Sequence, residues 1–229
     1  MQTHNIKTDS LKEIKNNIQK YSPHPNQVKI IAVTKNFNYS SIISATKNNI
    51  PCIGENKVKE FLEKKQKSQN NRFNVETHLI GHLQSNKVNK AVGNFDVIQT
   101  IDSLKIAEKI NKKAKQLGIK QRVFIQINVG NDPKKYGFLL KDIYNQIESI
   151  SKKDNLKLEG LMTILPFDQK AEKSQTLFNK MYKIQKKVTK EIHTGCKFLS
   201  MGMSGDYIYA LKEGATHIRI GTKLYGHRQ

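Results

Sequence analysis

Short apolar runs alternate with longer amphipathic segments along most of this chain. Val28, Ile30, Ile31, Ala32 and Val33 crowd into one stretch that ends in Thr34 and Lys35, as in a strand buried on both faces. On the same reading, strands are expected at 28–35, 52–55, 77–81, 97–101, 123–129, 158–164, 198–203 and 217–221. Between them the apolar positions recur at helical spacing over 40–48, 58–69, 84–92, 103–117, 139–151, 171–192 and 207–212. One more amphipathic helix, 10–20, precedes the first strand.

Strand–helix alternation implies parallel strands joined by crossover helices, and eight such units are the number that closes a barrel. The expected fold is therefore α/β: a single-domain TIM-type (β/α)8 barrel over residues 1–229 with an extra N-terminal helix. A complete barrel can stand as a monomer. Its chemistry is expected at the C-terminal ends of the strands, the rim that carries the active site in barrels of this kind.

Charge changes the picture less than its size suggests. A net charge of +21 usually points to nucleic acid, because cations release the counterions of phosphates. Yet only four of the 40 cationic residues are arginines (Arg72, Arg122, Arg219, Arg228), whereas bidentate recognition of phosphates and bases favours arginine. The lysines are scattered along the whole chain, as on a solvated surface, and no specific nucleic-acid partner is expected. Cys52 and Cys196 form no disulfide framework, and no run reaches the roughly 18 apolar residues of a membrane span, so a reducing cytoplasmic setting is expected.

Lys35 ends the first strand, which would put its amine at the barrel mouth. Two readings of it stand on the residues alone. It is either a strand-end lysine that snorkels to solvent, or an amine whose desolvation exposes a nucleophile able to form a Schiff base. The seventh strand runs into "SMGMSGD" (200–206) and the eighth into "RIGTKLYG" (219–226). Small residues there let backbone N–H groups and hydroxyls approach an anion, in the loops where such barrels hold phosphate. Each glycine alone could simply make a turn.

The stretches "AVTK" (32–35), "GENKVKE" (54–60), "HLIGHLQSNK" (78–87), "LEGLMTI" (158–164), "LSMGMSGD" (199–206) and "HIRIGTKLYG" (217–226) follow one another in order. With them the chain resembles the YggS/PROSC group of pyridoxal 5′-phosphate (PLP) binding proteins, the PLP homeostasis proteins, which are similar to the N-terminal domain of alanine racemases. The resemblance implies that PLP is held as a Schiff base on Lys35, that Arg219 faces the pyridine nitrogen, and that Ser204, Gly221 and Thr222 hold the phosphate. By the same resemblance Asn56, Met162 and Ser200 stand beside the ring. Lys135 resembles a family lysine near the cofactor, but "NDPKKYGF" departs from the usual wording and leaves Lys134 as a rival.

A guanidinium cannot accept the proton that would make the ring a strong electron sink. Racemases of this type also draw a tyrosine base from a second domain, which is not expected here. The implied function is therefore to hold PLP within vitamin B6 and amino-acid homeostasis without robust turnover, with PLP-dependent apo-enzymes as candidate recipients. The alternative is a PLP-dependent racemase-like enzyme. His78 and His82 stand four apart but run from a strand into a turn, which does not bring two side chains together, and no metal site is expected. Glu55 and Glu60 read either as an acid/base pair or as a strand-end and a helix-face glutamate. Tyr207, Tyr209 and Tyr225 read either as bases or as packing residues.

Overall fold

The computed structural model describes residues 4–68, 73–166 and 170–226. Its eight strands are β1 (Lys29–Val33), β2 (Cys52–Glu55), β3 (Glu76–Leu79), β4 (Val97–Ile101), β5 (Gln121–Gln126), β6 (Leu156–Met162), β7 (Phe198–Met203) and β8 (His217–Ile220). They pair in sequence order, all parallel, and β8 closes on β1 with Lys29 beside His217 and Ile31 beside Arg219. The α/β TIM-type barrel is present.

Alternation along the strands separates two apolar clusters. Ile30, Ala32, Ile53, Leu79, Ile98, Val123, Ile125, Leu199 and Ile218 join the large core that includes residues from the surrounding helices. A smaller cluster of Val97, Phe124 and Met162, with Ile164 and Phe198 against it, packs separately. Polar residues are buried on these strands too, among them His78, Gln99, Ser200, His217 and Arg219. Buried polar groups need partners, and here they find one another.

The helices are α1 (Thr8–Tyr21), α2 (Ser40–Lys47), α3 (Val58–Gln66), α4 (Val88–Ala91), α5 (Leu104–Gln116), α6 (Ile143–Ser151), α7 (Ala171–Glu191), α8 (Tyr207–Lys212) and α9 (Thr222–Tyr225). The N-terminal helix α1 buries Leu11, Ile14 and Ile18 and packs on α8 and α9. There Asn17 Nδ2 donates to Tyr207 Oη at 2.7 Å, and Lys223 pairs with Glu13 at 2.9 Å.

Several boundaries differ from the sequence expectation. The helix expected over 84–92 is a 3-10 turn, Ser85–Lys87, followed by only four α-helical residues. The helix expected from residue 139 starts at Ile143, because Asp142 takes a left-handed φ of 56° and Leu139 stays exposed. Strands five and six stop at Gln126 and Met162, before the expected 129 and 164. Beyond Gln126 the chain turns to a single bridge between Ile127 and Phe138. Gln69, the expected end of the third helix, lies outside the described residues, as do Arg72 and Arg228. No described helix is long and apolar enough to cross a membrane.

Candidate functional site

Lys35 stands two residues beyond β1, half-buried, in a turn. Both of its chain neighbours are fastened to one ion cluster. The Thr34 carbonyl accepts from Lys64 Nζ at 2.8 Å, and Thr34 Oγ1 donates to Glu55 Oε1 at 2.7 Å. On the other side the Asn36 amide, at φ 61°, donates to Glu60 Oε1 at 2.5 Å. The Lys64 ammonium, 5% exposed, also binds Glu55 Oε1 at 2.6 Å and Glu60 Oε1 at 2.8 Å. Burial pushes the Glu55 carboxyl above the usual carboxylate range, against the pull of Lys64. Glu55 and Glu60 therefore meet around one ammonium and serve to hold the turn that carries Lys35.

Six of the eight expected site residues, Lys35, Asn56, Ser204, Arg219, Gly221 and Thr222, line one cleft of about 270 Å³ at the C-terminal rim. Val33, Ile80, Ile164 and Met203 supply its apolar wall. The β7–α8 and β8–α9 loops meet there, where the Lys223 amide reaches Ser204 Oγ at 3.4 Å. The end of β7 needs its glycine. Gly202 has φ 90°, and a Cβ on it would stand 2.6 Å from Ala210 Cβ and 2.9 Å from Tyr207 Cα. Gly205, which lines the cleft, has nothing within 4 Å of the position a Cβ would take. That open space beside two hydroxyl residues is a cradle for a small anion.

Arg219 is 3% exposed. Its Nη1 donates to Ser200 Oγ and its Nη2 to the Thr163 carbonyl, both at 2.7 Å. Burial lowers the guanidinium to about 10, and Asp206 works in the opposite direction. It remains a cation at neutral pH. Met162 and Ser200 do not line the cleft. Ser200 lies under Arg219 and donates to Gln99 Oε1 at 2.7 Å, while Met162 packs with Val97 and Phe124. Gln99 is a site neighbour that the sequence reading passed over. A glutamine in the apolar strand "VIQTI" was the available signal, since such an amide must find partners.

The remaining candidates disperse. His78 is inside the barrel between Glu76 and Gln99, whereas His82 pairs with Asp102 at 2.7 Å and stacks on Tyr136. Lys134 is exposed and Lys135 half-buried in the 130–137 loop, and neither lines the cleft. Tyr207 and Tyr225 are buried in packing contacts, with Tyr225 Oη donating to the Ser41 carbonyl at 2.9 Å, and Tyr209 lies against the core.

An amine, a buried guanidinium and a hydroxyl-lined cradle in one cleft suit an anionic ring compound with an electrophilic carbon. Asn56 Oδ1 adds a buried acceptor without a protein partner at the cleft wall.

The family model described as "Alanine racemase, N-terminal domain" matches residues 10–229. The "Pyridoxal phosphate homeostasis protein" of Aquifex aeolicus is 37% identical over 176 residues, covering 77% of this chain and 76% of that one. The human protein of the same name is 32% identical over 212 residues, 88% of this chain and 77% of its own. Among solved structures, PipY of Synechococcus elongatus with PLP bound superposes with a TM-score of 0.84 at 31% identity, over 95% of this chain and 99% of that one. An alanine racemase of Clostridium difficile shares the fold, with a TM-score of 0.77 at 23% identity over 98% of this chain and 58% of the longer one.

Proposed function

The chain belongs to the alanine racemase N-terminal domain family and, within it, to the pyridoxal phosphate homeostasis proteins, and from that premise we propose that it binds and releases PLP. The carrying observation is the convergence of Lys35, Arg219, Ser204, Gly221 and Thr222 on one cleft. In this reading the Lys35 amine holds the aldehyde carbon as a Schiff base. Ser204, Thr222 and the backbone at Gly221 hold the phosphate, and Arg219 faces the pyridine nitrogen. Asn56 contacts the ring from the cleft wall, while Met162 and Ser200 support it from beneath.

Bound PLP supplies an electrophilic carbon and an electron sink, and the protein's residues decide how far the sink is used. Arg219 keeps its protons and cannot take up another, so it does not strengthen the sink. Racemisation needs a base on each face of the substrate. Among the described residues lining the cleft, Lys35 brings the one amine, and no Asp, Glu, His, Cys or Tyr stands there as a second base. These features favour a PLP reservoir, within vitamin B6 and amino-acid homeostasis, over a racemase, with apo-enzymes as recipients. The reservoir acts in the cytoplasm as a single-domain monomer.

Borohydride reduction followed by peptide mapping is expected to place the pyridoxyl group on Lys35. A label spread over surface lysines would overturn the assignment. Ser204→Ala and Thr222→Ala are each expected to raise the PLP dissociation constant about tenfold or more, the loss of one charge-assisted hydrogen bond. Pyridoxal without its phosphate should bind the parent poorly. Proton–deuterium exchange at the α-carbon of L-alanine should stay near the rate of free PLP. An enhancement approaching ~10⁶ would make this chain an enzyme.

A further inference from the structure

A single line of hydrogen bonds runs from Arg219 to the opposite end of the barrel. Arg219 Nη1 donates to Ser200 Oγ at 2.7 Å, and Ser200 Oγ to Gln99 Oε1 at 2.7 Å. Gln99 Nε2 then meets His78 Nδ1 at 2.8 Å, and His78 Nε2 meets Glu76 Oε1 at 2.8 Å. The ends set the direction. Arginine has only donors and an ionised carboxylate only acceptors, so each group between must accept from one side and donate to the other. That direction turns the Gln99 oxygen toward Ser200, and with burial lowering His78 it gives a neutral ring with its proton on Nε2.

Glu76 is a firm anchor for such a line. Arg122 Nη1 holds its Oε2 at 2.5 Å, Lys29 lies 3.4 Å from Oε1, and Arg122 is itself tied to Glu159 at 2.8 Å. Cys52, Glu76 and His78 also offer three ligand atoms within 4.8 Å of one another. They make a poor cation site, because two cations already occupy the carboxylate and burial drives the Cys52 thiol up to about 12.

We propose that Gln99 and His78 are positioning residues for Arg219: the line they complete fixes the guanidinium's orientation and its donors toward the cleft. This rests on the reading that the PLP ring sits against Arg219. With the line intact, Ser200 Oγ has already given its proton to Gln99 and can only accept from Arg219. Without Gln99 the hydroxyl rotates, competes as a donor and lets the guanidinium shift.

Gln99→Met keeps the side chain's volume and removes both polar ends, and His78→Met breaks the line one link further away. Both are expected to raise the PLP dissociation constant about five- to tenfold, the worth of about one hydrogen bond. Both should also move the absorbance maximum of bound PLP, which senses the ring nitrogen's partner. Gln99→Glu, which restores an acceptor for Ser200, should return toward the parent. Thr189→Val, which removes a half-buried hydrogen bond to the Cys196 carbonyl outside the barrel, should lower stability and leave the spectrum alone.

In the ligand-free parent, ¹⁵N NMR should show His78 as the neutral Nε2–H tautomer, and Gln99→Met should keep the proton on Nε2 beside Glu76 while shifting the Nδ1 signal that loses its donor. The proposal is overturned if both methionine variants fold and keep the parent's affinity and spectrum, or if the parent's His78 carries its proton on Nδ1. A parent that takes up no PLP would instead overturn the proposed function, and the tautomer measurement on ligand-free protein would still judge the line.

Discussion

A lysine amine can meet a ligand carbon reproducibly only if its backbone is held, and Lys64 holds it here. This ammonium bonds the carbonyl before Lys35, and one of its carboxylate partners takes the amide after it. Lys64→Met would leave Glu55, 1% exposed, without its counter-ion, and breaking a buried pair in this way costs about 3–5 kcal/mol. Urea unfolding at neutral pH is expected to show that loss, and the double variant with Glu55→Gln should recover a large part of it. Equal stabilities of the single and double variants would remove the pair from the account. The sequence made Lys35 visible because an apolar run ends on it, whereas Arg219 was singled out only by the family resemblance. Lys64 carried no such mark: one lysine among many on an exposed-looking helix says nothing of which carbonyl it reaches.

At the scale of elements, strands were the more readable because apolar runs of strand length persist wherever both faces are buried. The four-residue helix α9 lies below the length at which helical periodicity can be seen, so no range was assigned to it although it carries Thr222. The end of β7 and the loop after it separate structure from binding within a few residues. Gly202→Ala puts a side chain at a positive φ and against the backbone of Tyr207, and is expected to destabilise the fold by about 1–3 kcal/mol. Gly205→Ala meets nothing within 4 Å, and should leave the melting temperature unchanged while weakening PLP by intruding on the cradle. Denaturation curves and PLP titrations on the two variants check this. A Gly205→Ala protein with full affinity would move the phosphate elsewhere.

Taken whole, the molecule carries a net charge of +21 on its surface and a polar core inside its barrel, and the core governs how it answers to acid. Burial holds His217 well below the ordinary 6.5 and lowers His78 as well, although Glu76 pulls the latter upward. A histidine kept neutral in the fold but free to charge when unfolded contributes stability above 6.5 and loses it as pH falls, because the unfolded chain then binds the extra proton. Glu76 acts with the same sign further down. Burial raises it, but the His78 and Arg122 bonds win and hold it well below the usual range, so its contribution fades under about 4.5. Glu55 and Asp206, raised by burial, act oppositely, so the histidine effect needs its own comparison. His217 touches Phe124 and Phe198 at ring distances of 5.5 and 5.3 Å, so His217→Phe keeps a ring in place while removing the titrating nitrogens and the Nδ1 contact with Thr216 Oγ1 at 2.9 Å. Any packing cost shifts the whole curve without changing its slope. Unfolding free energies of parent and variant should run parallel above about pH 7.5. Below 6.5 the parent should fall more steeply, by up to the one-proton limit of ~1.4 kcal/mol per pH unit. Parallel curves down to about pH 5 would mean that His217 takes up its proton alike in the folded and the unfolded chain, and that its burial among aromatic rings is not what makes the fold sensitive to acid.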